Sequence, residues 1–84
     1  MRRGSLALVM GDPERARDFY REAIAQEPGN VLARLQLSKL YELTFNDYRA
    51  AARMCGEARA LAPATPGLAE CVERNERLAA AAGR

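Results

Sequence analysis

One spacing occurs twice in this chain and limits what it can fold into. Ala16, Tyr20, Ala23 and Pro28 are matched by Ala51, Cys55, Ala58 and Pro63, each 35 positions further on. A unit that recurs at this period is one piece of supersecondary structure. It cannot bury its apolar face alone and has to stack on a neighbouring copy. Small residues at fixed steps, followed by a proline, suit closely approaching helices that end where proline halts them.

The flanking residues support the duplication. Gly11-Asp12-Pro13-Glu14 precedes the first copy and Asn46-Asp47-Tyr48 the second, each supplying a turn and a helix N-cap. In the first copy Ala16, Phe19, Tyr20, Ala23 and Ile24 form one stripe at helical spacing; in the second, Tyr48, Ala51, Ala52, Cys55, Ala58 and Leu61 do so. Between the copies, Asn30 caps a helix expected over Val31 to Leu43. Ala33, Leu37, Leu40, Tyr41 and Thr44 form one of its stripes, and Leu32, Leu35, Lys39 and Leu43 another. A helix apolar on two sides either packs on both or offers one to a partner. Gly4 to Met10 read as the remnant of a matching first helix. Thr65 as cap and Pro66 in the first turn open a last helix to about Ala82, with Leu68, Cys71, Val72, Asn75, Leu78 and Ala79 on its inner face.

These residues resemble the tetratricopeptide repeat family, whose unit is a helix pair of about 34 residues. Leu37, Ser38 and Tyr41 match the first-helix pattern, with Ser in place of Gly. Ala16-Tyr20-Ala23-Pro28 matches the second-helix pattern in full, and Ala51-Cys55-Ala58-Pro63 matches it with Cys in place of the aromatic. The usual Trp is missing; in the second repeat Arg34 takes its place. That repeat is also one residue longer than the usual unit, near Thr44–Asn46. An unrelated antiparallel bundle would share the helical periodicity but not the duplicated turn chemistry. The resemblance implies an all-α fold of stacked helical hairpins, a short right-handed superhelix of about five helices. It divides a single domain over 1–84 into a first repeat (1–30), a second (31–65) and a C-terminal capping helix (66–82). The first repeat lacks the start of its first helix, so the chain is either cut from a longer array or begins with a short helix. In both cases its N-terminal edge should be apolar and should pack on more of the chain or on a second copy.

The resemblance also implies where a partner binds. First helices of successive pairs line a concave groove in this family. Carried over by position, that groove takes Met1, Ser5, Leu8 and Val9 from the first repeat and Leu32, Leu35, Gln36, Lys39, Glu42 and Leu43 from the second. Such a surface suits an amphipathic helix or an extended peptide with aliphatic anchors. Leu32, Leu35 and Leu43 have an equal alternative, packing against a terminal helix. The family's carboxylate clamp of Lys, Asn and Arg falls here on Met1, Ser5, Gln36, Gly67 and Cys71, which lack the charge, so no clamp binding of an acidic peptide tail is expected.

Charge and composition exclude other classes. The 13 basic and 11 acidic residues are interspersed along the chain, leaving no basic stripe for nucleic acid or a membrane surface. No apolar stretch is long enough to cross a membrane. There is no histidine, and no phosphate-cradling glycine loop, paired-Cys motif or nucleophile elbow. An enzyme is therefore not expected, and neither is a cofactor or a metal. Cys55 and Cys71 read as small buried apolar residues, with a disulfide as the alternative in an oxidising compartment. The Arg2-Arg3 pair and the short apolar run after it fall short of a signal peptide, so a cytoplasmic location is the default, which a trimmed leader would change. The expected function is protein–protein interaction as a scaffold or adaptor, binding a protein or peptide in the groove. The alternative is a self-assembly module whose repeat surface serves only a homo-oligomer.

Overall fold

Three of the four helices start where a short polar side chain can satisfy a free N–H group. In a computed structural model, which describes residues 12–83, Asp12 accepts from the Arg15 N–H at 3.2 Å and opens α1 (Pro13–Gln26), with Pro13 in the first turn. Asn30 accepts from the Ala33 N–H at 3.0 Å and opens α2 (Val31–Leu40). Asp47 accepts from the Ala50 N–H at 3.2 Å and opens α3 (Tyr48–Leu61). The fourth helix, α4, runs Leu68–Ala82. The described residues are all-α, with four helices in antiparallel succession. The expected remnant helix at Gly4–Met10 lies outside them.

The extra residue of the second repeat has a structural form. After Leu40 the helix widens into a π-turn over Tyr41–Phe45, closed by Asn46 in the left-handed region (φ 53°). A π-turn takes one more residue per hydrogen-bonded ring than an α-turn, so it absorbs a single insertion without breaking the helix. The α-helix expected to reach Leu43 therefore ends at Leu40. Thr44 is exposed, not part of the inner stripe, and Leu43 is 74% exposed.

The last helix also begins differently from the sequence expectation. Thr65 does not cap it and Pro66 is not in its first turn. Thr65 donates its N–H to the Ala62 carbonyl, and Gly67 takes φ +85°, so the helix begins at Leu68 with no side-chain cap. Only glycine adopts that backbone without strain. The start places Leu68 and Asn75 inward, both buried, but turns Leu78 out to 36% exposure, against expectation.

Neighbouring helices pack on one another in order: α1 on α2, α2 on α3, α3 on α4. Ala16, Ala33, Ala51 and Ala58 have no exposed surface, which lets the helices approach closely. Tyr20, 1% exposed, fills the gap left between Ala16, Leu37 and Leu40. Phe19, Ile24, Tyr41, Phe45 and Met54 pack around this cluster, and Phe19 meets Tyr20 edge to face with centroids 5.9 Å apart. Arg34, at the position where the repeat pattern has Trp, is largely buried, with its side chain 11% exposed. It donates to Glu57 at 3.0 Å and to the Pro28 carbonyl, tying the first repeat's exit to α3.

Candidate protein-binding groove

The groove lies between α2 and α4, the first helices of successive pairs. Asn30 sets the phase of α2, so that Leu37 and Leu40 turn to the core while Leu32, Leu35, Gln36 and Lys39 share the opposite side. These four and Glu42 line a hollow of about 320 Å³. Pro66, Gly67, Leu68 and Arg74 form the facing wall, and Ser38, Cys55 and Cys71 also line it. Leu32 is 56% exposed and available to a ligand. A wider hollow of about 610 Å³ between α1 and α3 is lined by Arg21, Arg49 and Arg53 over Ile24 and Met54. It does not coincide with the positions expected from the sequence.

Of the expected groove residues, the structure brings together Leu32, Leu35, Gln36, Lys39 and Glu42. Leu43 does not line the hollow, because the π-turn carries it outward. Met1, Ser5, Leu8 and Val9 lie outside the described residues. On the facing side, the family's clamp positions already mark Gly67 and Cys71, whereas Pro66, Leu68 and Arg74 are not among the expected groove residues. A helical wheel of α4 alone gives no sign of the partner across the groove.

That partner is Glu42. Its carboxylate accepts two hydrogen bonds from Arg74, at 3.0 and 2.9 Å, and a third from the Asn75 side-chain amide at 3.0 Å. Asn75 also donates to the Cys71 carbonyl, and its Oδ1 is buried without a partner among the described residues. Glu42 thus lines the groove with its carboxylate already engaged by Arg74 and Asn75. Lys39 remains the exposed cation of the lining, and it forms no ion pair among the described residues.

The Arg74 hydrogen bonds hold the Glu42 carboxyl below the ordinary carboxylate range, against the opposing effect of its burial. A carboxylate depressed on folding adds stability above its unfolded pKa, about 4.3, and loses it as pH falls through the folded value. Wild type should therefore exceed Glu42→Gln in stability at neutral pH by roughly 1 kcal/mol. The gap should close in acid, read from urea midpoints at stepped pH. A gap that stays constant down to pH about 2 would contradict this assignment.

The Sγ atoms of Cys55 and Cys71 are bonded as a disulfide across α3 and α4, with Cα atoms 6.1 Å apart, inside the usual span of such a link. The sequence had favoured free thiols in the core. Cys55 is fully buried as expected, and the stacking of α4 on α3 is what brings Cys71 to it.

No described helix is long and apolar enough to cross a membrane. No curated protein matches the chain. A family model for the tetratricopeptide repeat matches residues 7–66, well over half of the sequence. With its duplicated spacing and its stacked helical hairpins, the chain belongs to the tetratricopeptide repeat family, whose repeats mediate protein–protein interaction.

Proposed function

We propose that this chain is a non-catalytic scaffold or adaptor that holds a peptide or partner helix in the groove between α2 and α4. The observation that carries the reading is the lining itself. Aliphatic Leu32, Leu35 and Leu68 stand beside Gln36 and Lys39, which has no ion pair among the described residues, in a hollow of about 320 Å³. Apolar walls with a few oriented polar groups suit aliphatic anchors, and Lys39 favours an acidic side chain or free carbonyl next to them. The Glu42–Arg74 pair holds both walls at a fixed separation, so less ordering is left to occur on binding.

The test uses peptides selected from a random library on the immobilised chain. Binding in the micromolar range, with NMR shifts confined to residues 32–42 and 66–74, is the expected result. Binding should be lost in the Leu35→Asp, Lys39→Glu double variant, with Lys39→Glu alone as the check should the double variant misfold. Shifts mapping elsewhere, or unchanged binding by folded variants, would refute the reading.

A second reading has support in the exposed Leu43, Leu61 and Leu78, which a homo-oligomer would cover. In that case the groove variant stays oligomeric in sedimentation, and no selected peptide maps to the groove.

A further inference from the structure

Two of the second repeat's departures from the repeat pattern meet in one place. Ser38 replaces the usual Gly and Cys55 the usual aromatic, and their side chains lie 2.8 Å apart. Cys71 of the next helix completes the group, with its Sγ 3.5 Å from the Ser38 hydroxyl and bonded to Cys55. All three line the groove. An aromatic at residue 55 would hold α4 by packing alone; here the hold is covalent.

We propose that the Cys55–Cys71 bond is a redox-addressed lock on the groove. A small thiol or dithiol entering the groove opens it, releasing α4 from α3 and with it the wall that carries Leu68 and Arg74. The inference concerns the wall and stands whatever the groove binds. Cys55 is fully buried while Cys71 is half-buried at the groove surface, so an incoming thiolate meets Cys71. Its sulfur forms a bond to Cys71 Sγ as the Cys55–Cys71 bond breaks, and the bonding pair leaves on Cys55 Sγ. A dithiol's second thiolate then displaces Cys71, forming the reductant's own cyclic disulfide. Two electrons and two protons pass to the cysteines. A low-molecular-weight disulfide such as oxidised glutathione takes them back in the reverse direction.

Ser38 is the positioning residue. In the bonded state its hydroxyl donates to the Ala51 carbonyl at 3.2 Å. When Cys55 leaves as a thiolate, the same O–H is within reach to donate to it, and once Cys55 is protonated the thiol can donate to the serine oxygen. One buried hydroxyl thus satisfies the site in both redox states, where an unpartnered thiolate would be strongly disfavoured. Severing the bond acts mainly on α4, because each helix packs chiefly on its neighbours and α3 is the helix that α4 packs on.

The experiment uses the whole chain, equilibrated at low temperature with a glutathione redox buffer and then treated with dithiothreitol without denaturant. Iodoacetamide trapping with intact mass follows the cysteines, and hydrogen exchange follows the helices. Expected are a chain that resists alkylation when oxidised, takes two alkyl groups after native reduction, and then exchanges α4 amides about tenfold faster while α1 is unchanged. Ser38→Ala should slow native reduction about tenfold and leave reduction of the urea-unfolded chain unaltered, a difference that a purely structural serine would not produce. Cys71→Ser should reproduce the reduced exchange pattern; Cys55→Ser does the same should Cys71→Ser fail to fold. Free thiols after oxidation, reduction only upon unfolding, or unaltered α4 exchange after reduction would each overturn the proposal. Equal native reduction rates in wild type and Ser38→Ala would overturn the role given to the serine.

Discussion

Tyr20→Ala lowers the free energy of unfolding by about 4 kcal/mol and leaves a chain without a cooperative transition at 25 °C. The side chain is 1% exposed and is the largest fully buried one in the described structure. It bridges α1 to Leu37 and Leu40 of α2. Removing the ring forfeits its burial and its edge contact with Phe19, and leaves a cavity between Ala16, Leu37 and Leu40. A helical domain of this size commands only roughly 3–5 kcal/mol in total, so one such cavity consumes most of it. Tyr20→Phe retains the ring and should lose no more than about 1.5 kcal/mol. Leu43→Ala, on the exposed π-turn, should stay within about 0.5 kcal/mol of wild type. Urea titrations followed by circular dichroism separate the three. A Tyr20→Ala midpoint equal to that of Leu43→Ala would mean that the cluster around Tyr20 does not hold the hairpin together.

The fold was legible in the sequence because its determinants are local and come twice. Ala16, Ala51 and Ala58 are small where helices cross, and Asp12, Asn30 and Asp47 stand where helices start. The same residues can be read either from spacing or from the structure. The π-turn was half legible: the surplus residue could be counted near Thr44–Asn46, but the choice between a longer loop and a widened helical ring depends on how Tyr41 and Phe45 pack. The capping of α4 was misread because Thr-Pro is a strong local signal, and Gly67 overrides it only through the position α4 takes on α3. In the groove, one wall could be read from α2 alone. The other could not, since Glu42 and Arg74 are 32 residues apart and each looks like an ordinary solvated charge on its own helix. Glu42 is a groove residue by its position in the π-turn that continues α2, but its tie to the opposite wall shows only once the helices are stacked.

The pairing of Cys55 with Cys71 was likewise beyond the sequence, and it carries the second large effect. Reduction should lower stability by about 3 kcal/mol, from the 16-residue separation of the cysteines and the chain entropy that a closed loop of that size withholds from the unfolded state. For a domain of this size the melting midpoint should fall on the order of 15 °C. The effect lies in the unfolded chain, which gives it a signature that lost packing does not share. The cross-linked unfolded chain is more compact and exposes less surface, so the urea dependence of unfolding should be shallower for the oxidised protein than for the reduced one. A Cys55→Ala, Cys71→Ala double variant should match the reduced protein in both midpoint and slope, and should not respond to dithiothreitol. Lost native contacts would lower the midpoint and leave the slope alone. Because α4 rests mainly on α3, the first structure to go on reduction should be α4, before the Tyr20 cluster between α1 and α2. Equal midpoints for the oxidised and reduced chains would show that packing of Leu68 and Asn75 already holds α4 in place, and that the disulfide adds nothing to the stability of the fold.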